Sequence, residues 1–330
     1  MTAPNGPEPH ILNVSEEMLT GAAGLIRGGF LVSFPTETVY GLGADATNDQ
    51  AVAEVFNAKE RPAFNPLIVH VPNIESAREI VVFDSVAEQL AESFWPGPLT
   101  LVLPKKSACP ISDLVSAGLD TLAIRVPASD VAQRFLKLCR RPVAAPSANR
   151  SGRLSSTTAV HVASEFSNID LAILDGGSCV GGLESTVIGG TPDQPSLLRA
   201  GGLSLEEIEL AIGPITVTTL DTQSPCAPTS PGMLVRHYAP TTPLRINTNH
   251  VNSDECWLGF GPSEVSGMPI DQRNLSDSGD LVEAAANLFR YLRRLDSVGA
   301  SAIAVAPIPT DGLGRAINDR LTRGASNMET

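Results

Sequence analysis

The spacing of apolar side chains alternates between a helical period and short extended runs along the first two thirds of the chain. The first helix is predicted to begin after Ser15, because Met18, Ala22 and Ile26 recur at helical spacing behind this capping residue. Alternation of such helices with short apolar runs is typical of an α/β or α+β sheet protein. The pattern predicts further helices at 49–59, 85–95, 129–139, 157–166 and 205–212, and strands at 30–34, 67–71, 99–103, 122–126, 143–145, 171–175, 185–188 and 196–199.

A proline-rich stretch interrupts this pattern between residues 215 and 243. Its prolines stand among serines and threonines, a composition typical of linkers. Beyond it a shorter alternation resumes, so the sequence predicts a large domain at 11–214, a linker at 215–243 and a small α/β domain at 244–330. Within the small domain we predict strands at 256–260 and 302–306 and helices at 280–295 and 313–321.

The charge balance argues against a protein that mainly binds nucleic acid. The 330 residues carry 23 Lys and Arg against 36 Asp and Glu, a formal net charge of −13, whereas binding a phosphate backbone needs clustered cations. Five cysteines and five histidines are scattered, which predicts neither a disulfide framework nor a resident metal site. No apolar run approaches the roughly 18 residues that span a bilayer, and the first ten residues lack the features of a signal peptide. We therefore expect a cytoplasmic protein.

The common nucleotide-binding and hydrolase motifs are missing or misplaced. The chain has no Walker-type phosphate loop and no Gly-x-Ser-x-Gly elbow. Residues 41–46 fit the loose form Gly-x-Gly-x-x-Ala of a dinucleotide fingerprint, but residues 35–40 separate them from the predicted strand. Because the fingerprint needs its first glycine at the strand end, we predict that residues 35–48 form a loop without a dinucleotide site.

Instead, polar side chains lie just beyond the ends of several predicted strands. Thr36 and Thr38 follow the first strand, and Ser147 and Asn149 follow a later one. Open α/β sheets bind ligands at such strand ends, although hydroxyl groups in turns also bond their own backbone. The glycine-dense residues 176–190 allow a ligand to approach the backbone closely. Together these features favour an anionic, hydrogen-bonding small ligand over a redox cofactor.

A structural role is the alternative to ligand binding for three residues near these strand ends, Lys59, Arg61 and His70. Lys59 and Arg61 end the second predicted helix, where cations ordinarily serve as solvent-exposed partners of the helix dipole. His70 lies on the same face of its predicted strand as Ile68, and a lone strand histidine is often structural. The residues alone leave both interpretations open.

Several ordered motifs run through nearly the whole chain. They are Pro35-Thr36-Glu37-Thr38-Val39-Tyr40-Gly41-Leu42-Gly43, Lys59-x-Arg61, Asn65-Pro66-Leu67, Trp95-Pro96-Gly97-Pro98-Leu99-Thr100, Arg125-Val126-Pro127, Ser147-x-Asn149-x-Ser151-Gly152, Glu184-Ser185-Thr186-Val187, Ser230-Pro231-Gly232-Met233 and His237-Tyr238-Ala239-Pro240. Through them, residues 11–325 resemble the long, two-domain form of the threonylcarbamoyl-AMP synthases. The resemblance implies an α/β fold with a YrdC-type twisted mixed sheet and flanking helices, followed by a smaller Rossmann-like α/β C-terminal domain.

The resemblance also implies a reaction. It joins L-threonine, bicarbonate or CO2, and ATP to give L-threonylcarbamoyl-adenylate and pyrophosphate, a nucleotidyl transfer. The product would serve threonylcarbamoyl modification of adenosine in tRNA through downstream threonylcarbamoyl-transfer proteins, while direct tRNA binding is expected to be weak or absent. Mg²⁺ is expected to enter with ATP rather than on a protein ligand set. Because the threonine amine and its carbamate are the nucleophiles, positioning and charge neutralisation should carry the catalysis.

The site residues follow from the same resemblance. Lys59 and Arg61 are expected to face the ATP phosphates as the catalytic residues. Threonine binding is assigned to Thr38, His70, Arg125 and Ser185, with Arg125 pairing with the threonine carboxylate. ATP binding is assigned to Lys59, Arg61, Asn65, Thr121, Ser147, Asn149, Ser155, Arg199 and His237.

The linker gains a role under this interpretation. Arg236, His237 and Tyr238 are expected to fold over the nucleotide and exclude water that would hydrolyse the product. Leu234 and Val235 stand where the family often has Lys and Tyr, which leaves the contacts of this lid open. A passive tether remains the alternative for the whole segment.

Two functions of other classes also remain open. The first is an RNA-binding module, against which the net charge of −13 argues. The second is a carbamoyltransferase of the kind that shares the YrdC-type domain. Such proteins carry additional acylphosphatase-like and cysteine-rich zinc segments, and neither is found in this sequence.

Overall fold

A computed structural model describes residues 7–218, 237–262 and 265–326, and these are arranged around two sheets. The large-sheet unit is formed by residues 7–218. Its strands are β1 (Pro9–Asn13), β2 (Val32–Pro35), β3 (Tyr40–Asp45), β4 (Ile68–His70), β5 (Leu99–Pro104), β6 (Thr121–Arg125), β7 (Val143–Ala144), β8 (Leu171–Asp175), β9 (Thr186–Thr191), β10 (Gln194–Arg199) and β11 (Thr216–Val217). Its helices are α1 (Glu16–Arg27), α2 (Asp49–Lys59), α3 (Ile74–Ile80), α4 (Ser85–Phe94), α5 (Asp113–Ser116), α6 (Asp130–Cys139), α7 (Ala159–Glu165) and α8 (Leu205–Ile212).

The small-sheet unit is formed by the described residues from 237 onward. Its elements are β12 (Leu244–Arg245), β13 (Cys256–Gly259), β14 (Gln272–Asn274), α9 (Leu281–Asp296), β15 (Ile303–Val305) and α10 (Gly314–Ala325). The four strands lie in the order β12-β15-β13-β14, and every pair is parallel. Helix α9 connects β14 to β15, whereas the described residues form no helix between β12 and β13 or between β13 and β14.

The large sheet is mixed, with the strand order β1-β8-β2-β3-β7-β4-β6-β5-β9-β10-β11. Strands β2 and β3 form an antiparallel pair, whereas β4 and β6 run parallel with His70 opposite Arg125. Carboxyl ends of parallel neighbours meet at the same edge of a sheet. The last residues of β4 and β6 therefore lie side by side.

Apolar layers cover both faces of the large sheet, and a third layer fills the small-sheet unit. The third layer also contains Val39, Leu154 and Leu183, which belong to the large-sheet unit. They pack in the same cluster as Phe289 of α9 and Tyr238. The two units therefore share part of one hydrophobic core instead of only touching at their surfaces.

The predicted fold class is confirmed, and most predicted elements lie within a few residues of the observed ones. Ser15 caps α1, since its side chain accepts a hydrogen bond from the Met18 amide at 3.1 Å. The cap of α2 is Asn48 and not Asp49, because the Asn48 side chain accepts from Gln50 and Ala51. β1, α3, α5, β11, β12 and β14 were not predicted.

The prediction of a loop over residues 35–48 is wrong, because residues 40–45 form the buried strand β3. A Cβ atom at Gly43 would lie 2.9 Å from both the Phe34 ring and a Val143 methyl group. A Cβ atom at Gly41 would lie 3.2 Å from Ala145. These glycines therefore allow close packing between strands. This packing explains why they do not form the turn of a dinucleotide site.

The two sheet units lie close to the predicted division at 11–214 and 244–330, although the division itself stays a prediction. Residues 216–217 of the predicted linker form β11, which pairs with β10. The expected lid residues Leu234, Val235 and Arg236 lie outside the described residues, as do residues 230–233 of the motif that precedes them.

Candidate active site

A polar cavity opens where the strand ends of the large sheet meet the start of the small-sheet unit. Its wall includes the loop between β2 and β3, the ends of β4 and β6, the loop after β7 and the segments flanking β9 and β10. The mixed topology explains this convergence, because residues far apart in sequence end neighbouring strands. The predicted site residues that line the cavity are Thr38, Arg61, His70, Arg125, Ser147, Ser185, Arg199 and His237.

Arg125 is held rigidly at one side of the cavity. Its Nη1 donates to Thr38 Oγ1 at 2.9 Å, its Nη2 donates to Glu37 Oε1 at 2.5 Å, and its Nε donates to the Gly97 carbonyl at 3.1 Å. Three of the five N–H groups of a guanidinium are thereby used. Within the described part of the chain, the other two N–H groups have no hydrogen bond assigned to them.

Glu37 is a residue of this site that was not selected from the sequence. One of its carboxylate oxygens accepts from Arg125, and the other accepts from the Ala128 amide at 3.0 Å. The carboxylate thus fixes the plane of the guanidinium. An acidic side chain among the hydroxyl groups of a strand-end loop was the available signal, because a buried arginine needs an anionic partner.

The loop before β3 supports both interpretations that the sequence left open. Thr36 Oγ1 donates to the Val39 carbonyl at 2.7 Å and accepts from the Thr38 amide at 3.2 Å, which is a local turn. Thr38 instead directs its hydroxyl towards Arg125. Both threonines line the cavity, and their hydroxyl groups hydrogen-bond each other at 2.7 Å, so the local turn and the cavity wall are formed by the same residues.

His70 is a neutral, buried group in this wall. Burial and then the nearby Arg125 charge lower the pKa of His70 to about 3. Its Nδ1 lies 3.2 Å from the Ile68 carbonyl, which accepts a hydrogen bond from that nitrogen when it carries the proton. The imidazole faces the cavity and also has this structural contact, so its two predicted roles are compatible.

The two sides of the cavity are connected by hydrogen bonds between Arg199 and Ser185. Arg199 Nη2 donates to the Ser185 carbonyl at 2.8 Å and to its hydroxyl oxygen at 3.2 Å. The Ser185 hydroxyl also hydrogen-bonds the Thr100 hydroxyl at 2.7 Å. A ligand group bound by Ser185 is consequently next to one bound by Arg199.

Arg61 lies buried beside Arg199 on the second side of the cavity. Its Nε and Nη2 donate to the carbonyls of Asn65 and Pro66 at 3.1 and 2.9 Å. Burial lowers the pKa of Arg61 to about 10, the charge of Arg199 contributing in the same direction against an opposing effect of Tyr238. Two like charges held together out of water favour an anion between them.

Lys59 lies behind the cavity wall. It is 1% exposed, and its Nζ donates to the carbonyl of Ser147 at 2.6 Å and to that of Asn149. Burial and then the charge of Arg61 lower the pKa of Lys59 well below its usual range. The alternative of a solvent-exposed partner for the helix dipole is wrong, because this ammonium is inside the protein.

The remaining predicted nucleotide residues also lie outside the cavity lining. Ser155 donates to Glu184, which does line the cavity, and Asn149 donates to two backbone carbonyls nearby. Asn65 is fully buried, and neither polar atom of its side chain has a hydrogen-bond partner within the described ranges of the chain. Thr121 begins β6, about 13 Å along the strand from Arg125. The predicted roles of these residues in binding ATP stay predictions.

His237 and Tyr238 are the part of the expected lid that the structure describes, and both line the cavity. Burial and then the charge of Arg323 lower the pKa of His237 well below its usual range. Its Nδ1 atom is buried and has no hydrogen-bond partner among the residues that the structure describes. A neutral imidazole with an unused nitrogen thus lies against a cavity lined with arginines.

Two structural features are absent from the described residues. No helix among them is long and apolar enough to cross a membrane. No group of three or more His, Cys, Asp or Glu side chains among them is placed to hold a metal ion. The polar side chains that line the cavity are arginines, hydroxyl groups, two neutral histidines and the Glu184 carboxylate.

Comparison with known sequences gives matches along almost the whole chain. A family model described as "Telomere recombination" matches residues 24–201, and one described as "Threonylcarbamoyl-AMP synthase, C-terminal domain" matches residues 203–326. The threonylcarbamoyl-AMP synthase of Pyrococcus abyssi is 42% identical over 96% of this chain and 97% of its own length. That of Bacillus subtilis is 39% identical over 95% and 94%, and that of Schizosaccharomyces pombe is 35% identical over 93% and 88%.

Comparison with solved structures agrees with the sequence matches. The crystal structure of the Pyrococcus abyssi homologue complexed with L-threonine superposes with a TM-score of 0.87 at 40% identity, covering 96% of this chain and 98% of that one. The Escherichia coli protein YciO superposes with a TM-score of 0.52 at 20% identity, over 59% of this chain and 96% of its own. The second match concerns the fold alone.

Proposed function

The chain belongs to the threonylcarbamoyl-AMP synthase family, and we propose that its cavity converts L-threonine, bicarbonate or CO2, and MgATP into L-threonylcarbamoyl-adenylate and pyrophosphate. The observation that carries the proposal is the contact between Arg199 and Ser185. This contact joins a threonine subsite around Arg125 to a nucleotide subsite around Arg61 within one cavity. An adenylate-forming reaction needs such a shared site, because the amino-acid carbamate and the α-phosphate must meet.

The proposed reaction balances without a nucleophile from the protein. The threonine amine attacks the carbon of CO2 and loses one proton to solvent as the carbamate forms; bicarbonate would first take up a proton and lose water to give CO2. A carbamate oxygen then attacks the α-phosphorus of ATP, the bond from that phosphorus to the bridging oxygen breaks, and pyrophosphate leaves with the electron pair. Holding these reactants in line contributes up to about 7–11 kcal/mol to lowering the barrier.

Arg125 is proposed to bind the threonine carboxylate. Its two remaining N–H groups supply a charge-assisted contact, and Glu37 keeps them aimed at the cavity. Ser185 and the neutral His70 lie in the same wall, where they offer hydrogen bonds to the amine or hydroxyl group of threonine. The relative complexed with L-threonine supports this choice of ligand for the subsite.

Arg61 and Arg199 are proposed to bind the phosphates of ATP, with Lys59 holding the loop that presents Ser147. The buried positive groups gain an anionic partner when the triphosphate enters. Mg²⁺ is part of the nucleotide substrate in this proposal. His237 and Tyr238 cover the nucleotide, which limits the access of water to the labile carbamoyl-adenylate.

The proposed product passes to a downstream threonylcarbamoyl-transfer protein that modifies adenosine in tRNA. A cytoplasmic location, where amino acid, ATP and that partner are all present, stays a prediction.

The full chain tests the proposal when it is incubated with MgATP, bicarbonate and L-threonine while pyrophosphate is measured. We expect release that depends on threonine and is absent with glycine or without bicarbonate. Pyrophosphate release at the same rate without threonine would contradict the proposal. Arg125→Met should raise the KM for threonine at least about tenfold, whereas Arg134→Met, at an exposed helix position, should leave it unchanged.

A further inference from the structure

One buried arginine of α10 contacts several segments that line the candidate active site. Arg320 is 1% exposed, although arginine is among the longest side chains. Its Nε donates to Glu184 Oε2 at 2.9 Å, and its Nη2 donates to the Ala200 carbonyl at 2.9 Å. Both acceptors belong to the large-sheet unit.

Each acceptor is next in sequence to a residue that lines the cavity. Glu184 precedes Ser185, and Ala200 follows Arg199. The two segments are also fastened to each other, since the Gly202 amide donates to the Glu184 carbonyl at 2.9 Å. One guanidinium therefore holds both chain segments that join the two proposed subsites.

The same guanidinium contacts the cover of the cavity. Its Cζ lies 4.7 Å from the centroid of the Tyr238 ring, and the ring of Phe289 stacks on Tyr238 at 5.8 Å. Tyr238 is the neighbour of His237, whose ring is 4.0 Å away. Arg320 thus contacts Glu184, Ala200 and Tyr238. These are the sequence neighbours of three residues that line the cavity, Ser185, Arg199 and His237.

Against the effect of burial, the charges of Arg320 and then Arg199 lower the pKa of the Glu184 carboxyl group, and Arg320 also hydrogen-bonds it. Glu184 is 5% exposed, and its second oxygen accepts from the Ser155 hydroxyl. A buried carboxylate that loses its cation must take up a proton or move towards solvent. Either change displaces the segment that carries Ser185.

We propose that Arg320 is a positioning residue through which the small-sheet unit sets the geometry of the active site. It acts on the threonine subsite through Glu184 and Ser185, and on the nucleotide subsite through Ala200 and Arg199. This inference rests on the proposed function, because it concerns how the same cavity binds its two substrates. It also gives the small-sheet unit a task in catalysis that a tethered domain would not have.

Two variants of Arg320 separate the two branches. Arg320→Met keeps much of the volume and removes every donor, so the KM values for threonine and for ATP should both rise about tenfold or more. Arg320→Lys keeps a cation for Glu184 but lacks the second arm of the guanidinium that reaches Ala200. We expect the lysine variant to recover most of the threonine KM while its ATP KM stays raised.

Arg245→Met is the matched control. Arg245 also bonds a buried carboxylate of the small-sheet unit, that of Glu255, at 3.0 Å, but it lies away from the cavity lining. Its loss should lower the melting temperature and leave both KM values unchanged. Equal increases in KM from Arg245→Met and Arg320→Met would show a general loss of stability and overturn the inference.

The remaining outcomes are also decisive. If Arg320→Met keeps both KM values and kcat within about twofold of wild type, the positioning role is refuted and the proposed function is unaffected. If this variant does not fold, Arg320→Lys decides, since an unchanged ATP KM contradicts the inference and a raised one supports it. Wild-type protein without threonine-dependent pyrophosphate release would instead refute the proposed function.

Discussion

At the scale of single residues, the candidate site is a place where positive charge is buried with little compensation. Lys59, Arg61 and Arg199 are each less than a tenth exposed, and burial lowers the pKa of all three. A bound triphosphate would add opposite charge and raise those pKa values again. The site is therefore expected to exchange protons when its nucleotide binds.

We predict that ATP binding takes up protons. Burial lowers the pKa values of Lys59 and His237 well below their usual ranges, so the charged forms of both groups are disfavoured before ATP binds. An anion favours the charged form of both groups, and the protons come from the buffer. Titration calorimetry in two buffers of different ionisation enthalpy measures this uptake directly.

The control for proton uptake is Lys59→Met, which should reduce the number of protons taken up per ATP. Proton release on binding, or heats that are identical in both buffers, would show that the buried groups are already charged.

Asn65 gives a second prediction at this scale. Its fully buried amide has no hydrogen-bond partner among the residues described, so replacing it removes no hydrogen bond between them. Asn65→Ala should therefore weaken ATP binding about tenfold if the amide serves the nucleotide, while the free energy of unfolding changes by less than about 1 kcal/mol. Nucleotide titration and urea unfolding of the same preparation check the two parts.

Asn149→Ala is the contrasting variant for Asn65. Its amide donates to the carbonyls of Arg150 and Arg153 at 2.8 and 2.9 Å, so its loss should cost about 1–3 kcal/mol of stability. A large stability loss in Asn65→Ala together with unchanged ATP binding would assign Asn65 to the scaffold.

The residues that line the cavity were easier to predict from the sequence than the residues that hold them in place. Motif resemblance selected Arg61, Arg125 and Arg199, whereas Glu37 and Arg320 were not selected. The reason is physical: a supporting contact such as that of Arg320 with Glu184 joins residues 136 positions apart. Nothing in the local pattern around α10 indicates that its arginine is buried against another unit.

At the scale of elements, the failed prediction of a loop over residues 35–48 shows where local patterns lose their value. β3 is buried along its whole length and contains two glycines, so it has neither the polar and apolar alternation nor the β-branched residues of an ordinary strand. Its strand conformation comes from its neighbours, since β2 pairs with residues 40–43 and β7 with residues 44–45. Those neighbours become known only with the tertiary structure.

Gly43→Ala tests this explanation of β3. The added methyl group would meet the Phe34 ring and Val143 at 2.9 Å and the Val32 carbonyl at 3.1 Å. We expect a loss of about 1–3 kcal/mol in the free energy of unfolding from overpacking. Denaturant titration of the purified variant provides the measurement.

Gly21→Ala is the matched control for Gly43→Ala. A Cβ at Gly21 of α1 meets nothing within 4 Å, so the helix should gain about 0.5–1 kcal/mol. Equal effects of the two substitutions would mean that β3 has room for a side chain and that its glycines serve another purpose.

At the scale of the whole molecule, the two units are joined by apolar packing and by buried charge. Arg293 of α9 donates to Glu165 at 3.0 Å and to the Leu154 carbonyl, while Arg320 pairs with Glu184. Both arginines belong to the small-sheet unit and both carboxylates to the large one. Because breaking a buried pair costs about 3–5 kcal/mol, we expect the units to unfold together.

The stability of the whole molecule should fall as the pH drops below about 6.5. Burial lowers the pKa of His70 to about 3 and that of His161 to about 4, and it lowers the pKa of His237 in the same direction. Below pH 6.5 the unfolded chain binds protons that the folded chain excludes, so the stabilisation is complete above that pH and is lost on acidification. A fully buried histidine contributes about 1.4 kcal/mol per pH unit to this slope.

Urea unfolding at several pH values between 7.5 and 5 measures the slope. His161→Gln, at a position outside the cavity lining, should make it shallower, because one group that takes up a proton on unfolding is removed. A free energy of unfolding that stays constant down to pH 5 would mean that the buried histidines can be charged in the folded protein, and the neutral imidazoles assigned to the active site would then be wrong.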